Sequence, residues 1–90
     1  MGEDCLFVNV WAPQNTTKLK PVMFWIYGGG LGSGSIFSGA NDGKALTVDD
    51  VVVASVNYRL RALGFMYGGP DTDCPGNMGF YDQTLGLKWV

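Results

Sequence analysis

The run Pro21-Val22-Met23-Phe24-Trp25-Ile26-Tyr27 passes directly into Gly28-Gly29-Gly30. This junction constrains the fold more than any other stretch of the chain. The run predicts a strand over 21–27, apolar on both faces, as suits a central position in a covered sheet. Glycine permits positive φ and lets another molecule approach the main chain closely. A buried strand that ends in bare backbone holds its N–H groups in set directions. Such a spot suits an anion, either a phosphate or the oxyanion of an acyl-transfer intermediate.

Two further strands are predicted. Leu6-Phe7-Val8-Asn9-Val10-Trp11 is rich in β-formers and ends at Ala12-Pro13. Residues 51–58 hold four valines among eight positions and mark a buried strand. Between them, residues 28–39 form a loop too long for a tight turn, a kind that is often functional. Asn41-Asp42-Gly43 reads as a turn or a helix start. Leu63-Gly64-Phe65-Met66 reads as a short strand or turn. Turn signals follow at Gly68-Gly69-Pro70-Asp71 and Pro75-Gly76.

Asn77 is placed to cap a helix that runs to residue 90. Met78, Tyr81, Leu85 and Trp89 give it an apolar stripe at three- and four-residue spacing. Asp82, read as lying in the first turn, favours the helix dipole. Gly86 costs that helix about 1 kcal/mol relative to alanine, so close packing against a neighbour is expected there. Strand, strand, loop, strand, helix fits the start of an α/β sheet. Both ends fall mid-pattern, so residues 1–90 are expected to be part of a larger domain, cut at both ends.

Composition removes several classes of function. Ninety residues with 47% hydrophobic content make one small globular unit. A net charge of −2 offers no basic patch for nucleic acid. No apolar run approaches the roughly 18 residues of a membrane span. No charged segment followed by an apolar one stands at the start, as a signal peptide requires. With no histidine and only Cys5 and Cys74, neither a zinc site nor a complete Ser-His-Asp triad is available within these residues.

Phosphate motifs fail as well. Gly43-Lys44 is followed by Ala45, not by a hydroxyl residue, and Gly39 lies one residue too close for a P-loop. Gly30-Leu31-Gly32 leads to Ser35, and Gly32-Ser33-Gly34 to Phe37, so no dinucleotide fingerprint forms. No cofactor is implied. A flexible surface loop is the plain alternative for the glycines. The apolar strand that feeds them favours the oxyanion reading, because an HGGG-type motif has that role in lipases and esterases. Tyr27 takes the place of its histidine.

Five blocks resemble type-B carboxylesterases. Glu3-Asp4-Cys5-Leu6-Phe7-Val8-Asn9-Val10-Trp11 is similar to their E-D-C-L-x-x-N-[IV]-[WY] signature, and Trp25-Ile26-Tyr27-Gly28-Gly29-Gly30 to their oxyanion-hole strand. Val56-Asn57-Tyr58-Arg59-Leu60-Arg61-Ala62-Leu63-Gly64-Phe65 resembles N-Y-R-[LV]-G-x-x-G-F. Pro75-Gly76-Asn77-Met78-Gly79-Phe80-Tyr81-Asp82-Gln83 resembles P-G-N-x-G-x-x-D-Q, and the ending resembles A-L-x-W-V. The blocks keep the family's order across the whole chain. The resemblance implies an α/β-hydrolase fold belonging to a chain several times longer, and a small carboxylic ester as substrate.

It also implies roles. Gly29 and Gly30 would donate N–H groups to the tetrahedral intermediate, with Gly28 keeping the turn open. Arg59 would pair, structurally, with an acidic residue beyond this chain, and Glu3 with an upstream arginine. Cys5 would form a disulfide with a cysteine outside the chain, which argues for an oxidising compartment and a secreted, extracellular or ER-lumenal protein. Cys74 reads as a free thiol, with a Cys5–Cys74 bridge as the alternative. The sequon Asn15-Thr16-Thr17 offers a glycan acceptor at Asn15, or is a chance match.

Departures from the family pattern point to the kind of esterase. Leu31-Gly32 stands where acetylcholinesterases usually have Phe-Tyr, and Asn41 stands near a position where they tend to carry tyrosine. Fewer aromatics mean fewer partners for a quaternary ammonium, which favours a general carboxylesterase over a cholinesterase. Arg61 replaces a family glycine. A reading of another class is a neuroligin-like adhesion homologue, which shares the fold without the nucleophile. The intact triplet favours a hydrolase. A G-x-S-x-G segment, absent from these residues, is the deciding feature.

Overall fold

The computed structural model of the chain describes residues 2–15 and 17–90. Its centre is a three-stranded sheet in the order β1-β3-β2. β1 is Val8–Trp11, β2 is Val22–Trp25 and β3 is Val52–Val56. β1 runs antiparallel to β3, with Val8 opposite Val56. β2 runs parallel to β3, with Val22 opposite Val52 and Trp25 opposite Ser55. A parallel pair needs a long crossover. Here the glycine loop and two 3₁₀ segments, Gly39–Asn41 and Gly43–Asp49, supply it.

The valine-rich strand is the buried one. Val53, Ala54, Ser55 and Val56 are all shielded from solvent. Side chains alternate along a strand, so Val53 and Val56 face opposite sides of the sheet. On one side Gly43 lies so close that an added Cβ would sit 2.7 Å from Val53 and 2.8 Å from Trp11. On the other, a Cβ at Gly86 would sit 2.6 Å from Val56. The close packing expected at Gly86 is therefore present.

The strand feeding the glycines is not central. β3 carries both ladders, which leaves β2 at the edge of the described sheet with Val22, Met23 and Trp25 about half exposed. Its two apolar faces thus lack the cover expected from the sequence.

Residues 61–65 correct a second expectation. They form a short helix, α1 (Arg61–Phe65), which overlaps the stretch 63–66 that reads in sequence as a short strand or turn. The turn signals after it close through a bridge between Tyr67 and Pro75.

The final helix, α2 (Met78–Trp89), begins where predicted. Asn77 holds the N-cap position through its backbone, its carbonyl accepting from the N–H groups of Phe80 and Tyr81, and its side chain makes no cap bond. The inward face differs from the apolar stripe. Gly79 and Asp82 are buried, whereas Tyr81, Leu85 and Trp89 are 59%, 64% and 67% exposed. Asp82 lies beyond the first turn, so its part is not that of a dipole partner.

Candidate functional site

The loop that begins at Gly28 stands on a small buried cluster of Tyr27, Ile36 and Tyr58, with Leu60 packed against it. Tyr27 and Tyr58 follow the neighbouring parallel strands β2 and β3. Their rings stack with centroids 4.7 Å apart. The Tyr58 hydroxyl donates to the Tyr27 carbonyl at 2.9 Å, and the Tyr27 hydroxyl donates to the Tyr58 carbonyl at 3.3 Å. Burial pushes both phenol pKa values up, chiefly through desolvation. The pair locks the two strand ends together at the point where the glycines start.

Asn57 ties down the rest of the loop. Its side-chain oxygen accepts from the Ile36 N–H at 3.1 Å, and its amide donates to the Cys5 carbonyl at 3.3 Å. Asn9 adds a bond to the Ile36 carbonyl. Asn41 accepts from the Trp25 indole at 3.1 Å and donates to the Ser35 carbonyl at 2.9 Å. The far end of the loop, at Ser35 and Ile36, is thus braced by Asn9, Asn41 and Asn57. These long-range bonds leave no periodic trace in sequence.

The three glycines differ from one another. Gly29 has φ of +138°, and a Cβ there would collide with the Ser33 backbone carbonyl. Gly30 has φ of +61° and meets nothing within 4 Å. Gly28 also meets nothing within 4 Å and lies outside the left-handed region. The Gly29 carbonyl points into the loop, accepting from the N–H groups of Gly32 at 3.1 Å and Ser33 at 3.2 Å. Among the described residues, no acceptor takes the N–H of Gly28, Gly29 or Gly30, and all three are exposed.

Gly30, Leu31 and Gly32 form one side of an open hollow of about 520 Å³, with Arg61, Ala62, Phe65 and Met66 on the other. It is broad and shallow, with a largely apolar lining. A smaller hollow of about 230 Å³ lies away from the glycines, between β1, β3 and α2.

Arg59 finds its partner inside this chain, which corrects the expectation of one beyond it. Its Nε and Nη2 donate to the two carboxylate oxygens of Asp82 at 2.9 and 2.8 Å, and its backbone N–H donates to the same carboxylate at 2.9 Å. The Asp82 side chain is only 4% exposed. The fork-shaped contact raises the Arg59 pKa above its ordinary value. A buried carboxylate with three donors is satisfied, and its part is to fix α2 to the end of β3.

The other predicted residues lie apart from the glycines. Cys5 and Cys74 are unbridged and partly buried, so no Cys5–Cys74 disulfide is present. Asn15 is exposed, and its side-chain oxygen accepts from the Thr17 N–H and hydroxyl. Thr16, the middle residue of the sequon, lies outside the described residues. No helix among the described residues is long and apolar enough to cross a membrane.

Known proteins are similar to the chain along its whole length. A family model described as the carboxylesterase family matches residues 1–90. The chain is 50% identical over its whole length to a cholinesterase of Mus musculus, covering 15% of that protein. It is 50% identical to cholinesterase 1 of Branchiostoma lanceolatum and 45% identical to an acetylcholinesterase of Gallus gallus, covering 25% and 12% of them. It thus spans a quarter or less of the length of these curated relatives. A family match over residues 1–90, with relatives about half identical across the whole chain, means that this chain belongs to the carboxylesterase family.

Proposed function

We propose that this chain is part of a carboxylic ester hydrolase of the α/β-hydrolase fold that works through a serine acyl-enzyme. In this reading residues 1–90 are a piece of one larger domain. The nucleophile, base and acid come from the rest of it. Gly29 and Gly30 supply N–H groups to the oxyanion, and Gly28 leaves the approach open. A serine attacks the ester carbonyl, the carbonyl oxygen gains negative charge, and the donors stabilise it before the alcohol leaves. Water then releases the acid.

One observation carries the reading. Gly29 and Gly30 are exposed and, among the described residues, no acceptor takes their N–H groups, on a loop held at its base by the Tyr27–Tyr58 clasp. Donors fixed before the charge develops need no reorganisation at the moment of reaction. The exposed outer faces of β2 and α2 support the larger-domain reading, since apolar surface of this extent is normally covered. Cys5 is assigned a disulfide partner elsewhere in that domain, in a secreted or ER-lumenal protein, with Asn15 as a glycan acceptor.

Choline esters form a second reading, favoured by the names of the relatives, which are cholinesterases and acetylcholinesterases. Leu31 and Gly32 favour neutral esters instead, because neither offers a ring to a quaternary ammonium. The test is to express the full-length protein and compare kcat/KM for acetylthiocholine, butyrylthiocholine and p-nitrophenyl acetate. Hydrolysis of the neutral ester at least as fast as of the thiocholine esters is expected. A strong preference for a thiocholine ester would install the second reading. No hydrolysis of any ester would overturn both and favour a binding homologue.

A further inference from the structure

Arg61 stands at the crossing of two strained segments. It has φ of +54° and Leu31 has φ of +60°, both in the left-handed region that side chains other than glycine rarely enter. The two are bonded to each other. The Arg61 N–H donates to the Leu31 carbonyl at 2.9 Å. The Arg61 Nε donates to the next carbonyl, that of Gly32, at 2.6 Å. Leu31 and Gly32 follow the Gly29-Gly30 pair without a break, and the Gly32 N–H closes the turn by donating to Gly29. One residue therefore grips two consecutive carbonyls of the loop that carries Gly29 and Gly30.

The grip has a firm base. Arg59, two residues earlier, is fixed to α2 by its three bonds to Asp82. Gly64, in the same short helix as Arg61, packs directly on the Arg59 carbonyl. Arg61 is thus the last link from α2 through Arg59 and α1 to the glycine loop. A glycine at this position would adopt the same φ without strain, but would offer one donor to the loop instead of two. Strain kept in place by surrounding bonds is common where a site must be preorganised.

We infer that Arg61 is a positioning residue, which holds Leu31 and Gly32 and thereby sets the direction of the Gly29 and Gly30 N–H groups. The inference rests on the ester-hydrolase reading of those glycines. Because the donors act on charge that appears only in the transition state, a loosened grip lowers kcat and leaves KM nearly unchanged.

The test uses the full-length protein with Arg61→Met, which keeps the aliphatic stem and removes the side-chain donors, and Arg61→Gly, which also removes the strain. In both, kcat for p-nitrophenyl acetate is expected to fall about tenfold with KM within about twofold. The inhibition constant of a trifluoromethyl ketone, whose hydrate-like adduct places an oxyanion on the same donors, is expected to rise by the same factor. Arg61→Gly is expected to have the higher melting temperature of the two. Amide exchange across residues 29–33 is expected to quicken in Arg61→Met. Wild-type kcat together with unchanged exchange in both variants would overturn the inference and leave the hydrolase reading standing. A wild-type protein inert towards esters overturns the hydrolase reading itself, and with it a catalytic part for Arg61.

Discussion

Glycine serves two regions of this molecule for opposite reasons. In the loop after β2, Gly29 and Gly30 serve the backbone, which holds positive φ at both. In α2, Gly79 and Gly86 are there for the missing side chain. A Cβ at Gly79 would lie 2.5 Å from the Arg59 carbonyl, and one at Gly86 would lie 2.6 Å from Val56. In the first region the missing side chains accompany positive φ and leave the backbone bare, while in the second they let the chain pack on itself. The same residue type therefore marks an exposed loop in one place and a seam in the other. Only its φ and its neighbours tell the two apart.

The comparison breaks most easily at Gly29. Gly29→Val in the full-length protein forces a β-branched residue into φ of +138° against the Ser33 carbonyl. It is expected to raise the activation barrier by about 3–4 kcal/mol, the usual worth of one oxyanion donor. Far-UV circular dichroism should remain that of a folded protein, because the clasp below the loop is untouched. Near-normal kcat would sink the assignment of the loop as a site.

Asp82 tests the seam from its charged side. It sits on the inward face of α2 between Gly79 and Gly86 and is the sole carboxylate that Arg59 meets among the described residues. Asp82→Ala leaves Arg59 with no acceptor for three donors. Arg59 is partly exposed, so water repays some of the loss, and the expected destabilisation is about 3 kcal/mol, the low end for breaking a buried pair. Thermal or urea unfolding of the full-length protein measures it. A change below about 1 kcal/mol would show that shape, not charge, holds α2 to the sheet.

How much of this could be read in advance depends on distance along the chain. The valines of β3 announced a buried strand because the signal is local, and the need for close contact at Gly86 followed from its cost to a helix. The stripe of Tyr81, Leu85 and Trp89 misled. Periodicity identifies an apolar face but not the surface it meets, and the face that reaches β3 is built of glycine and aspartate. α1 was missed because its first residue, Arg61, holds a conformation that its type disfavours, imposed by Leu31 thirty positions away. The Tyr27–Tyr58 clasp and the Arg59–Asp82 pair were hidden for the same reason. The glycines themselves were conspicuous, whereas the residues that aim them were not.

Gly86 gives a smaller and more finely balanced effect. Gly86→Ala gains about 1 kcal/mol of helix propensity. Against this, its Cβ meets the side chain of buried Val56, and overpacking of this kind costs about 1–3 kcal/mol. A net loss of about 1 kcal/mol in unfolding is expected, with kcat/KM unchanged. A net gain would mean that the helix shifts outward at little cost, and that the seam is looser than the geometry shows.

Gly28 is where the two uses of glycine separate within a single triplet. Its φ lies outside the left-handed region and a Cβ there meets nothing within 4 Å, so neither backbone nor packing requires glycine. Gly28→Ala should therefore leave stability within about 0.5 kcal/mol, as for an exposed position free of special geometry. Any effect on turnover must come from the methyl group standing near an incoming ester. A fall in kcat/KM of less than about tenfold is expected, well below that at Gly29, because no donor is lost. If Gly28→Ala proved as damaging to turnover as Gly29→Val, with stability unchanged, the triplet would act by leaving space for the substrate. The left-handed φ of Gly29 would then be incidental to catalysis. A mild effect would instead assign catalysis to the conformation at Gly29 and Gly30, which space alone does not supply.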